Sequence, residues 1–319
     1  MTNGTNQFIS GIAYSVGTSH CIESLQESEG ISPEVLGDLK GRGLRNFYQD
    51  TRSIPEMCMA AAEATLRLMD LKPEEIDVIL LSTSNADWVN TLDAETALFT
   101  VFRKCGFIRT RLIGLSLQAC SALGETVRIA ADLVSGQDPV KRVLLIIFGR
   151  KETPSRLGPA ASTVYSDGAA SCIVSADKGG FEICASESLF NIHLGAMGRL
   201  GNFDQFLGGV QDLGEISRSV YRKAGIGPED VKILFCTNGS LVHLRVMANA
   251  AKIPSDRVYG KDVGRFAHVY SCDNLISLKN YSSEQILQPG SYYLLLGWSP
   301  HIVSGAILRC VENAPNTGF

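Results

Sequence analysis

The sequence predicts a duplicated α/β fold, two βαβ-type halves whose sheets are covered by helices on both faces. Three observations carry that prediction. Continuous apolar runs such as "RVLLIIFG" from Arg142 and "SYYLLLGW" from Ser291 suit strands buried on both faces. They alternate with helical stretches such as "MCMAAAEATLRLMDL". The chain also repeats itself: "LKPEEIDVILLSTSN" from Leu71 returns about half a chain later as "IGPEDVKILFCTNGS" from Ile226. Two copies of this size mean a duplicated domain rather than a solenoid.

Within the first half, a helix leads into the Pro-Glu-acid turn at Pro73 and then a β-rich run ending in Ser and Thr. Next comes "RLIGLSLQACSALGETVRIAADLVSG", a strand-like stretch that turns into a helix running to about Gly136. "RVLLIIFG" and "SDGAASCIVS" complete the half, and the "ADKGG" turn near Ala176 ends it, so the boundary is placed between residues 1–177 and 178–319. The second half repeats the order and closes with "SYYLLLGW" and "SGAILRC". One asymmetry stands out. Between its last two strands the first half carries "RKETPSRLGPAASTVY", the second only "SPHIV". Long loops on such a scaffold are usually functional or lie at an interface.

Composition excludes several classes. Of 319 residues, 45% are hydrophobic and 19% charged, which predicts a large core; the net charge of -4, without blocks of like charge, argues against a nucleic-acid or membrane-surface protein. No signal peptide is read in "MTNGTNQFISGIAYSVGTSH", and no stretch reaches the about 18 apolar residues of a membrane span. The nine cysteines are scattered without a C-x-x-C pair, so neither a disulfide scaffold nor a metal site is expected, and a reducing cytoplasm is the expected location.

Cys120 differs from the other eight by its place at the start of the helix after "RLIGLSLQA". Unpaired N–H groups and the helix dipole favour a thiolate there. On position alone it is a nucleophile or a gap-filling buried thiol.

"SLQACSALGE", "SDGAAS" and "SGAILRC", met in this order along nearly the whole chain, resemble the thiolase fold and, more narrowly, the β-ketoacyl-acyl-carrier-protein synthase III family. The resemblance implies a layered αβαβα arrangement of two βαβαβαββ-type halves, with Cys120 as the nucleophile. It also implies a homodimer joined across the nucleophile-bearing sheets. The pattern breaks where that family carries its condensing His and Asn. In "NGSLVHLRVMANAAKIP" Ser240 falls at the His position and His243 at the position of the following Asn; in "RFAHVYSCDNLISL" Ala267-His268 replaces a Gly-Asn turn. A serine cannot replace an imidazole as a tunable donor.

His268 with Asp273 five residues on instead suggests Cys–His–Asp chemistry, as in the family's acyltransferase branch. His268 would activate the thiol and then deprotonate an acceptor, with Asp273 holding its tautomer. Ser240, His243 and His301, the last beside the expected active-site loop, are candidates for the pocket or acceptor site. The residues leave other readings open: a loop histidine for His268, a first-turn acid for Asp273, a structural or pocket-rim residue for His243 and a spectator for His301. The family's oxyanion hole takes the nucleophile's own N–H and one from a glycine turn between the last two strands, which places Ser299, by its main-chain N–H, beside that of Cys120.

Trp88 is expected to line or cap the acyl pocket. Gly37 and Gly41 stand where coenzyme A-using members clamp the nucleotide. From Arg222 to Arg265 there are eight Lys and Arg against four Asp and Glu, and Arg245 matches a carrier-docking arginine. The expected function is an acyltransferase. It would load an acyl group from an acyl-carrier-protein or CoA thioester onto Cys120, without a further cofactor, and pass it to a small-molecule hydroxyl or amine in natural-product biosynthesis. A decarboxylative starter-unit condensing enzyme and a non-catalytic partner of a ketosynthase-like heterodimer are the alternatives. Neither nucleic acid nor membrane is expected as a partner.

Overall fold

The computed structural model describes residues 6–83, 92–151, 155–197, 203–299 and 301–311. The chain opens with β1 (Phe8–Val16). A two-stranded ribbon follows, β2 (Thr18–Cys21) with β3 (Asn46–Gln49), and encloses α1 (Leu25–Glu29) and α2 (Pro33–Gly41). Then come α3 (Ile54–Met69), β4 (Val78–Thr83), α4 (Leu92–Lys104), β5 (Arg111–Leu115), α5 (Ala122–Ser135), β6 (Arg142–Gly149) and β7 (Gly168–Ser175). The remainder begins with β8 (Phe181–Phe190), α6 (Ile192–Ala196), α7 (Phe203–Ala224), β9 (Val231–Cys236) and α8 (Leu241–Ala251). It ends with α9 (Lys261–Phe266), α10 (Asp273–Glu284), β10 (Tyr292–Ser299) and β11 (Ile302–Cys310).

Among the described residues, nine strands follow the order β5-β4-β6-β7-β1-β8-β11-β10-β9. The first five and the last four form two arms joined only where β1 meets β8, at Phe8↔Glu182 and Ile9↔Phe181. In each arm the parallel strands lie toward the outer edge, β4 with β5 and β6, and β9 with β10. Where the first arm has β5 beside β4, the second has a single parallel bridge, Leu234↔Val258, beside β9.

The arms face each other across α5 and α10. α5 packs on β4, β6 and β7 of one arm and on β8, β10 and β11 of the other; α10 lies against β1 and β9. α3 covers the outer face of the first arm with α4 behind it, and α7 covers the second with α8 beside it. The result is five layers, αβαβα. Three apolar cores fill the spaces between them: a central one around α5 and α10, one beneath α7 and α8, and one beneath α3 and α4.

Local sequence explains the parts that matter for the site. β6 and β7 are buried on both faces, apart from half-buried Arg142, as their unbroken apolar runs require. α5 is apolar around much of its circumference because a sheet lies on each side of it. At Gly124 an added Cβ would stand 2.6 Å from Ser304 Cβ, so glycine is what lets α5 approach β11 this closely. No helix among the described residues is long and apolar enough to cross a membrane.

Candidate active site

Cys120 lies in one 3-10 turn, Ala119–Ser121, between β5 and α5. The backbone before it is strained: Leu117 and Ala119, neither a glycine, have φ of 67° and 44°. Such conformations persist only where surrounding contacts hold them, and here those contacts are explicit. The Ser121 hydroxyl donates to the Ile302 carbonyl at 2.9 Å. The Ser271 hydroxyl donates to Ala119 O at 2.8 Å and accepts from Ala122 N–H at 3.2 Å. The sulfur is therefore presented, partly exposed, at the head of the central helix. Cys58, Cys172, Cys236, Cys272 and Cys310 are buried instead, and burial holds the Cys58, Cys172, Cys236 and Cys272 thiols above their ordinary range.

His268 arrives from the other arm, on the loop between α9 and α10. Ala267 before it has φ 52° and ψ −139°, a conformation a glycine adopts freely. The loop is held to the long segment after β6: His268 N–H donates to Val164 O at 3.0 Å, and Ser166 N–H to His268 O at 2.9 Å. This brings His268 Nε2 to 3.1 Å from Cys120 Sγ. On the far side of the ring, Nδ1 donates to Asp273 Oδ2 at 2.6 Å. Asp273 also accepts from Val269 N–H at 2.7 Å and Asn238 N–H at 2.6 Å. These bonds reach back to the loop and across to the segment after β9, and none of them is to a first-turn N–H of α10.

Electrostatics follow from the geometry. Burial works against a charged His268. The negative charges of Cys120 and Asp273 on either side outweigh it, and the imidazole is pushed up to about 10. Tyr165 and Tyr270 stack on each other at 4.9 Å and lie 5.3 Å and 5.6 Å from the His268 ring. Burial, and after it the Cys120 charge, raises both phenols, so both stay neutral. Gly149 at the end of β6 makes room for this wall, since a Cβ there would stand 2.2 Å from the Tyr270 ring. Sequence reasoning missed both tyrosines; their only signal was proximity, Tyr165 beside "SDGAAS" and Tyr270 two residues after His268.

Ser240 is buried and caps α8: its hydroxyl accepts from His243 N–H at 3.3 Å and lies 3.0 Å from His243 Nδ1. His243 sits edge-on to Trp298 at 5.7 Å. Burial, and then the charges of His268 and Arg42, depress its imidazole to about 4, so it is neutral near pH 7.

Ser299 reaches Cys120, but not as the sequence reading had it. Cys120 N–H donates to Ser299 Oγ at 2.9 Å. Trp298 N–H turns toward β9, donating to Thr237 Oγ1, and N–H directions alternate along a strand. The Ser299 N–H therefore points to β11, opposite Ile302, and not at the sulfur. The hydroxyl, not the main-chain N–H, stands at Cys120. The His301 side chain lies against Gly195 of α6. Arg245 is exposed on α8. Trp88 lies outside the described residues.

No protein-family model matches the chain. The β-ketoacyl-[acyl-carrier-protein] synthase III of Aquifex aeolicus is 24% identical over 277 residues, 80% of this chain and 84% of its own. Among solved structures, the acyltransferase ChlB3 has a TM-score of 0.85 at 18% identity, covering 98% of this chain and all of its own. The priming β-ketosynthase of the R1128 polyketide biosynthetic pathway has 0.76 at 17% identity, covering 98% of each chain. The chain is a thiolase-fold protein. More narrowly, it resembles the β-ketoacyl-[acyl-carrier-protein] synthases III in sequence and solved ketosynthases and acyltransferases in fold.

Proposed function

We propose that the protein is an acyltransferase, moving an acyl group from a carrier-protein or CoA thioester to a small-molecule hydroxyl or amine through an acyl-enzyme on Cys120. The observation that carries this reading is the unbroken line Cys120 Sγ, His268, Asp273, with separations of 3.1 Å and 2.6 Å. The Cys120 thiolate adds to the thioester carbonyl carbon, and the C=O π pair moves to oxygen. Collapse breaks the bond to the donor sulfur, which leaves with the proton from His268 Nε2. Acylation also removes the negative charge that held that proton. The ring, deprotonated and steered by Asp273, is then a base for the acceptor O–H or N–H. The acceptor oxygen or nitrogen attacks the acyl carbon, its proton passes to Nε2, and the Cys120–acyl bond breaks to restore the thiolate.

The names of the relatives support the donor class: the Aquifex enzyme is named for acyl-carrier protein, and a structural neighbour, OleA, is described with bound lauroyl-CoA. Arg245, exposed on α8, suits an acidic carrier. Ser240 argues for transfer over condensation, because the position of the condensing histidine holds a helix cap instead.

One observation favours a second reading, decarboxylative condensation. His243 is a neutral imidazole near enough to His268 to be depressed by its charge, and a neutral ring can donate to an enolate. Intact-protein mass after incubation with acyl and malonyl thioesters, beside Cys120→Ala, separates the two. Acyl transfer expects a malonyl adduct to stay whole on the wild type alone. Arrival as acetyl with release of carbon dioxide would establish condensation. No adduct from any donor would overturn both readings and favour a non-catalytic partner subunit.

A further inference from the structure

We infer that the Ser299 hydroxyl is a switching member of the oxyanion site: it accepts the Cys120 N–H in the resting enzyme and donates its own O–H to the oxyanion once a thioester carbonyl takes that N–H. The inference rests on the acyl-transfer reading above and adds a catalytic residue to it. Thioester attack needs preorganised donors where negative charge develops on the carbonyl oxygen. Cys120 N–H is one, and the ladder register spends the main-chain N–H of Ser299 on the β11 side. The site would then be a donor short.

Its hydroxyl is the group in place to make up that shortfall. Ser299 is 5% exposed and its Oγ lies 2.9 Å from Cys120 N, where an incoming carbonyl oxygen has to bind. A hydroxyl both accepts and donates, and it turns about a single bond. Rotation by a short arc vacates the N–H and keeps the O–H beside the oxygen that replaces it. The backbone on both sides is fixed, by Ser121 on Ile302 O and by Trp298 N–H on Thr237, so the exchange is confined to one side chain. As the thiolate adds, the carbonyl π pair localises on oxygen between Cys120 N–H and Ser299 O–H. On collapse the C=O re-forms and the donor sulfur leaves with the His268 proton, so Ser299 neither gains nor loses a proton.

The test measures two rates on the full-length chain carrying Ser299→Ala, with Ser299→Gly read the same way should the alanine variant not fold. One is acylation of Cys120 by the CoA or carrier-protein thioester that loads the wild type fastest. The other is alkylation of Cys120 by iodoacetamide, which needs the thiolate but no oxyanion site. The expected result is acylation slowed about 100-fold, the cost of one lost donor, with alkylation unchanged. Acylation as fast as wild type or faster would overturn the inference and leave the hydroxyl as a placeholder. Equal losses in both rates would overturn it as well, assigning Ser299 to holding the elbow. A wild type that alkylates but accepts no acyl group from any thioester would instead overturn the acyl-transfer reading itself.

Discussion

The Ser271 hydroxyl donates to the Ala119 carbonyl at 2.8 Å, tying the His268–Asp273 loop of one arm to the strained turn that presents Cys120 of the other. It also accepts Ala122 N–H, so a single buried hydroxyl satisfies both sides of the elbow. This clasp is one of the bonds that set the distance between Cys120 and His268. Ser271→Ala leaves the Ala119 carbonyl and the Ala122 N–H without this partner. The expected cost is about 1–3 kcal/mol in denaturant unfolding, with Cys120 alkylation slowed as the sulfur drifts from His268. Unchanged stability and alkylation would mean the arms hold their register without it.

Asp273 accepts three N–H groups, Oδ1 from Val269 and Oδ2 from Asn238 and His268. An amide in its place would turn an NH2 against Val269 N–H or against the pair from Asn238 and His268. Asp273→Asn is therefore expected to lose about 1–3 kcal/mol for the donor left unpaired. It also removes one of the two charges that raise His268. A histidine raised to about 10 contributes stability that is full below its unfolded value of 6.5 and is lost as pH rises through about 10. Relative to His268→Gln, the wild type should therefore lose stability between about pH 6.5 and 10, and Asp273→Asn should lose it over a narrower range ending lower. Unfolding free energies of the three chains across pH 6 to 11 check this; parallel curves would refute it.

How far the sequence could be read depended on whether a feature was written along the chain or across it. β6 and β10 are legible because strands buried on both faces need unbroken apolar runs, and these stand in the sequence. The joining of the two arms is not, because it rests on Phe8–Ile9 against Phe181–Glu182, two pairs distant in sequence and without a motif. Cys120, His268 and Asp273 could be picked out because each sits at a helix start or beside a turn of recognisable order. Ser299 could be placed at the nucleophile, but which of its groups faces the sulfur is set by strand register, which the sequence leaves open. Ser271 and the two tyrosines carry no local signal; their importance exists only once two loops meet.

Gly124 gives a direct test of how tightly α5, the helix that follows Cys120, is held. An added Cβ would meet Ser304 Cβ at 2.6 Å and the Glu187 carbonyl at 3.0 Å, both on the sheet α5 packs against. Backbone and a short side chain have little freedom to yield, so α5 must lift at its first turn, one turn beyond Cys120. Gly124→Ala is expected to destabilise by about 1–3 kcal/mol despite alanine's better helix propensity. Thermal unfolding measures the loss. A stabilised variant would show that β11 can retreat.

Asp262 is another buried carboxylate, away from Cys120 and His268, and its pH signature has the opposite cause. Its carboxylate is fully buried between α9 and α10; Asn280 Nδ2 donates to it at 2.8 Å and Arg265 lies 3.4 Å away. Tyr14 donates to Asn280 Oδ1, which orients the amide, and Glu284 adds a repelling charge behind Arg265. Burial dominates these partners and raises the acid from 3.8 to about 6. For an acid raised by folding, the folded state binds the extra proton, so stability falls as pH rises from about 4 to about 6 and then stays lower. The cost at neutral pH is about 3 kcal/mol, the free-energy equivalent of a shift of about two pH units. Asp262→Asn keeps the shape, accepts from Asn280 through its carbonyl, and has no charge to bury. Its stability should match the wild type near pH 4 and exceed it at pH 7, the difference between the two curves opening between pH 4 and 6. If the wild type is instead the more stable chain at pH 7, Arg265 outweighs burial, and the carboxylate is charged and paired in the folded protein.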